Sequence, residues 1–181
     1  MPISSRADSR VRRLCRDAAF LCAALAFSYL ETLFPLSLLV PLPGVKLGLA
    51  NLLITAVFFL YSPLDAGVVS ALRVAIAALL FGTVTSFFFS ALGALFAYLM
   101  LWLCRLFLTR FCSYIGISVL AAAGHQIGQI LAACILFRSA VPGAYLPVLL
   151  CVAVLTGSVT GLLLNLMAPR LEKAMKRGQN A

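Results

Sequence analysis

Charge is what this sequence has least of. Only 10% of its 181 residues are Asp, Glu, Lys or Arg, and the acids number five, scattered at Asp8, Asp17, Glu31, Asp65 and Glu172. A chain that ionises a diphosphate through magnesium needs carboxylates in clusters, so that chemistry is not expected here. No phosphate-cradling P-loop is present, which excludes unaided nucleotide hydrolysis. The one histidine, His125, and six cysteines (Cys15, Cys22, Cys104, Cys112, Cys134 and Cys151) form no CxxC pair and no metal-ligand spacing. Cysteines inside apolar runs pack as small hydrophobes. Catalysis by this chain alone, a metal and any other cofactor are therefore not expected.

What fills the sequence is hydrocarbon. Sixty-four per cent of the residues are hydrophobic and the mean hydropathy is +1.10, far above a soluble domain and typical of an integral membrane protein. A span needs about 20 apolar residues, fewer where protein shields it. The runs Ala18–Val40, Gly44–Leu60, Leu64–Phe81, Val84–Leu103, Tyr114–Phe137 and Ala144–Met167 predict an all-α bundle of six transmembrane helices. Pro41-Leu42-Pro43-Gly44, Tyr61-Ser62-Pro63, Gly82-Thr83 and Pro142-Gly143 are turn signals between them, and Arg105 to Ser113 reads as a basic loop. The transmembrane domain is thus 18–167, between basic tails at 1–17 and 168–181. The first run exceeds signal-peptide length, so it reads as an uncleaved span.

The net charge of +9 could suggest nucleic acid, but its distribution points to the lipid bilayer. Arg6, Arg10, Arg12, Arg13 and Arg16 crowd one tail; Arg170, Lys173, Lys176 and Arg177 crowd the other; Arg105 and Arg110 share the central loop. With both tails cytoplasmic, eleven basic residues lie inside, against Lys46 and Arg138 outside. That bias predicts an N-in, C-in topology. The Pro41–Lys46 turn then faces outward.

A few polar residues interrupt the spans. Glu31 and Arg73 are a candidate ion pair, or line a path. His125 and Gln129 lie four apart on one helical face beside Gln126, either as hydrogen-bonded interior groups or as ligand contacts. Lys46 is either a snorkelling interfacial lysine or part of an anion site. In the second reading Pro43 stiffens the approach, Gly44 and Gly48 expose backbone, and Asn51 lies about a turn inside the span. Small residues at spacing four (Gly124/Gly128/Ala132, Gly157/Gly161, Ala19/Ala23, Ala18/Cys22/Ala26) let helix backbones approach closely. Packing within the bundle is the simpler account of them, and contact with a partner the alternative for the first span.

The run Pro43-Gly44-Val45-Lys46-Leu47-Gly48-Leu49-Ala50-Asn51 closely resembles the PG(I/V)KLGLAN signature of the heptaprenyl diphosphate synthase component I family, also labelled the Gx transporter family. Leu72-Arg73-Val74, Phe89 to Gly93, Gly116 to Leu120, Ala123 to Gln129, Tyr145-Leu146-Pro147 and Thr156 to Gly161 continue the likeness, with Gln126 where the family commonly has Asn. That family is similar to the substrate-binding S components of energy-coupling-factor transporters. The resemblance implies a six-helix, S-component-like protein of a prokaryotic cytoplasmic membrane. It also implies a membrane coupling subunit and ATPase subunits as partners. The residues themselves, with Lys46 and Arg73 among apolar surroundings, point to a small anionic or amphipathic ligand taken from the outer side. By that resemblance gating would fall on Pro41–Lys46 and coupling-subunit contact on Ala19 and Ala23. The polar residues read above place ligand contact or gating at Lys46, Asn51, Arg73, His125 and Gln129. The family's other name implies a different role, a non-catalytic membrane accessory to polyprenyl diphosphate synthesis.

Overall fold

A computed structural model describes residues 3–33, 46–108 and 113–179, all of them helix or short connection without a strand. The helices are α1 (Ile3–Leu33), α2 (Asn51–Leu60), α3 (Pro63–Phe81), α4 (Val84–Leu103), α5 (Tyr114–Phe137) and α6 (Leu146–Gln179). A π turn, Cys104–Leu108, extends α4, and a 3-10 turn, Val141–Tyr145, leads into α6.

Local chemistry sets these boundaries. Pro63 opens α3 at a position where its missing N–H is not needed. Thr83 and Ser113 cap α4 and α5 by accepting from Ser86 N at 3.2 Å and Gly116 N at 3.3 Å. Among the described residues four segments are long and apolar enough to cross a membrane: Pro63–Phe81, Val84–Phe107, Tyr114–Phe137 and Val141–Met167.

The structure corrects the sequence reading in two places. The second span does not begin at Gly44, because helix starts only at Asn51, and Lys46–Gly48 are irregular before a turn at Leu49 and Ala50. Its 10 residues rise about 15 Å, half of a hydrocarbon core roughly 30 Å thick. The basic stretch after α4 is not wholly loop, since Arg105 sits in the π turn with its guanidinium 5.9 Å from the Phe58 and Trp102 rings. The N-terminal arginines and much of the C-terminal tail lie on helix continuous with α1 and α6. Backbone hydrogen bonds propagate cheaply once a helix is nucleated, so a change of composition does not end one.

Glycines fuse α4, α5 and α6. A Cβ on Gly128 would stand 2.4 Å from Leu92 O, and one on Gly124 3.0 Å from Phe96 O, so α5 presses backbone to backbone on α4. Gly157 and Gly161 do the same from α6, each 2.5 Å by that measure from the Cα of Val119 and Ile115. These stripes are internal seams. By contrast Ala18, Ala19, Cys22 and Ala26 of α1 are exposed and Ala23 is half-buried.

Inside the ring lies α2, buried over Asn51–Phe58. Apolar on every side, it is a core helix, and its Ile54, Val57 and Phe58 pack on Ala66, Val69, Leu101 and Ile117. Its far end meets the basic end of the bundle. Phe20 contacts Tyr61 edge-on at 5.7 Å, and Phe59 meets Tyr114 at 6.4 Å. There Arg13 and Arg16 of α1 converge on the buried carboxylate of Asp65, Arg16 at 2.6 Å, while the Arg16 guanidinium lies 4.0 Å over the Tyr61 ring.

Candidate functional site

Because α2 spans only half the bundle, the chain leading into it lies level with the middle of α4 and α5. Irregular backbone at such depth is tolerated only when protein or a cavity satisfies it. Gln129, fully buried in α5, does much of that. Its Nε2 donates to Lys46 O at 2.9 Å, and its Oε1 accepts from Lys46 N at 2.9 Å. Gln126 Nε2 adds a longer bond to the same carbonyl, 3.4 Å. Glu31 of α1 accepts the N–H of Leu49. Asn51, Leu52 and Leu53 donate backward to Gly48 O, Leu49 O and Ala50 O at 2.9, 3.1 and 3.2 Å.

Those bonds revise the anion site read from sequence. Much of the backbone at the start of α2 is already committed, and the anion beside it is the protein's own Glu31 carboxylate. The donors left over belong to side chains.

His125, at the centre of α5, is 2% exposed and packed between two glycines. A Cβ on Gly48 (φ +83) would fall 2.9 Å from its Cδ2, and one on Gly93 of α4 2.6 Å from its Cε1. Gly48 is therefore required twice, for its left-handed backbone and for lack of a side chain. Around the ring, among the described residues, buried polar atoms lack a well-formed hydrogen bond: both ring nitrogens, although the Gly93 backbone lies close to the imidazole, Asn51 Nδ2, Gln126 Oε1, and Nε and Nη2 of Arg73. Arg73 is 4% exposed, and only its Nη1 finds a partner, Ser28 Oγ at 3.4 Å. Each such unmade bond costs about 1–3 kcal/mol.

The expected Glu31–Arg73 ion pair does not close. Among the described residues, ion pairs join Asp65 to Arg13 and Arg16, and Arg16 to Asp17. Glu31 is drawn instead to the Leu49 amide, and the two buried charges attract one another at a distance. Lys46 acts on Glu31 too. Lys46 also lines a crevice with Ser86 and Ser90 of α4 and Val74 and Ala77 of α3, too narrow to admit a water molecule.

Of the residues singled out from sequence, Lys46, Asn51, Arg73, His125, Gln126, Gln129 and Glu31 gather here. Pro43 and Gly44 lie outside the described residues. Ala19 and Ala23 lie apart, on α1. Sequence reasoning assigned no role to Gly93 or Ser28; a lone glycine or serine in an apolar helix carries no signal until its neighbour is known. Among the described residues no three His, Cys, Asp or Glu gather as metal ligands.

Long apolar helices around a buried polar centre define a multi-pass membrane protein. Residues 20–167 match the family described as heptaprenyl diphosphate synthase component I, and the chain belongs to that family. No curated protein and no solved structure matches it.

Proposed function

We propose that the chain is the ligand-binding membrane subunit of an uptake system, similar to an S component, with a small anionic or amphipathic ligand held at the polar centre. The observation that carries this reading is Arg73: a buried guanidinium whose Nε and Nη2 have no partner among the described residues, with the His125 ring nitrogens and Asn51 Nδ2 in the same condition. Intramembrane charges of this kind mark ligand sites by default, and half-helix starts at mid-depth recur in transporters. Two further crossings, one by α1 and one by the chain that ends in the half-length helix α2, would make six with both termini cytoplasmic. The Lys46–Ala50 segment is the gate, clamped by Gln129 and Glu31. A coupling subunit with ATPases supplies energy, docking on the exposed small-residue face of α1 that holds Ala19, with half-buried Ala23 at its edge. Transport then follows only if ligand and ATPase state favour different conformations.

The family's printed description favours a second reading, a non-catalytic accessory subunit beside a prenyl diphosphate synthase. Native mass spectrometry from mild detergent separates the two by what copurifies, coupling and ATPase subunits or a soluble synthase.

The site itself is tested with inorganic diphosphate as probe. Wild-type protein should gain thermal stability as diphosphate is raised. Arg73→Ala and His125→Ala should fold yet lose that gain, with affinity falling about tenfold or more, the loss expected for a charge-assisted contact. Unchanged affinity in both variants removes the centre as a ligand site.

A further inference from the structure

A groove of about 410 Å³ parts α3 from α4, and its walls are apolar apart from Ser70 and Tyr98. Arg73 does not line it. Its side chain turns into the bundle instead, 4% exposed, and donates from Nη1 to Ser28 Oγ of α1 at 3.4 Å. The edge of the guanidinium left without a partner among the described residues is Nε with Nη2. Those two N–H groups point the same way and form the side of the planar fork that takes two oxygens of one group.

Elsewhere in the molecule the same edge is filled. At the basic end Arg13 sets Nε against Oδ2 of Asp65 at 3.1 Å and Nη2 against Oδ1. A carboxylate is thus what this edge grips when it is occupied. Glu31, whose charge acts on Arg73, accepts the Leu49 amide and leaves the Arg73 fork open.

The atoms around the fork have a pattern of their own. A Cβ on Gly48 would stand 3.1 Å from Asn51 Nδ2 and 3.4 Å from His125 Nε2, so an amide donor and a ring nitrogen flank one point. The opposite edge of the ring, Cε1 and Nδ1, lies against the Gly93 backbone. A ring with its N–H on that side presents Nε2 as an acceptor. Gln126 Oε1 is another acceptor without a donor, its amide nitrogen being turned to Lys46 O. The charge of Arg73 acts on His125, which ties the fork to these groups.

We infer that the polar centre binds a small carboxylate that also carries hydroxyl or amide N–H groups, its two carboxylate oxygens on Nε and Nη2 of Arg73 and its donors on His125 Nε2 and Gln126 Oε1. The inference rests on the ligand-binding reading above and narrows its ligand class. Ionised diphosphate meets the charge of Arg73 but has no donor for the two acceptors. An apolar acid fills the fork and leaves the same acceptors unpaired, at the cost of a buried unmade bond. Room for the ligand comes from the Lys46–Ala50 gate, because Gly48, which packs on His125, moves with that segment.

Thermal unfolding of the full-length protein in mild detergent, at constant ionic strength, tests this with lactate, β-hydroxybutyrate and N-acetylglycine as probes. At least one should stabilise saturably. Its affinity should exceed that of inorganic diphosphate, and that of its donor-free match (propionate, butyrate or levulinate), by about tenfold or more. Its uncharged primary amide should give no shift. Arg73→Lys keeps the charge but loses the fork, and should weaken the stabilising acid about tenfold or more while weakening diphosphate less. Equal affinity for an acid and its donor-free match overturns the proposal, as does undiminished binding of the acid in Arg73→Lys. If diphosphate binds and every carboxylate fails, the proposal falls and the ligand-binding reading stands. If diphosphate and all the acids fail on wild-type protein, that reading falls as well. The wild-type comparisons decide the matter even where Arg73→Lys does not fold.

Discussion

A single side chain, Gln129, decides whether the chain before α2 can lie at mid-depth. Its amide mimics a strand partner, giving one donor and one acceptor to the Lys46 peptide. Two hydrogen bonds contribute about 0.5–1.5 kcal/mol each. Gln129→Ala should therefore raise the reactivity of Lys46 toward a water-soluble amine reagent by about tenfold, with little loss of helix by circular dichroism. Unaltered reactivity would mean the clamp is not what holds the segment. The importance of Gln126, Gln129 and His125 was legible in the sequence, because three polar side chains in an apolar helix demand partners. Which partner each takes was not. Gln129 lies 83 positions from Lys46, and no local pattern encodes so distant a contact.

At the scale of elements, glycine placement separates fused helices from parted ones. Gly128→Ala drives a methyl group into the Leu92 carbonyl, where backbone must shift. It should lower stability by about 1–3 kcal/mol, the usual range for overpacking, seen as an earlier unfolding midpoint in detergent. Gly143→Ala meets nothing within 4 Å and should leave that midpoint in place. Equal midpoints for both variants would refute the seam. The four longest apolar helices were legible to within a few residues from hydropathy and turn signals, Pro63 and Gly82-Thr83 among them. The start of α2 was not. Gly44 to Leu60 is uniformly apolar enough to read as one span, and only the commitment of Lys46 and Leu49 backbone to α5 and α1 shows where helix gives way.

For the whole molecule, α1 is the connecting lever. Arg13 and Arg16 hold its base to Asp65, and Glu31 near its other end holds the segment before α2. Its outer face, with Ala18, Ala19, Cys22 and Ala26 exposed, is not covered by the described residues. Topology is the prediction that belongs at this scale. Fluorescent-protein fusions at either terminus should fluoresce, and alkaline phosphatase inserted after Arg138 should be active, if both ends are cytoplasmic. An active phosphatase at either terminus would reverse the assignment. The arginine clusters already encode this bias, since positive charge resists translocation wherever it sits in the fold.

Sequence alone determined the membrane as solvent, the helical class, the short inventory of buried polar groups and the family signature. These depend on composition and on neighbours in the chain, which hydropathy reads directly. Tertiary structure decided what those groups do. It matched the Lys46 peptide to Gln129, gave Glu31 to Leu49 instead of Arg73, fitted His125 between Gly48 and Gly93, and parted α3 from α4. Each of these is a contact between distant residues, set by how close two backbones can come.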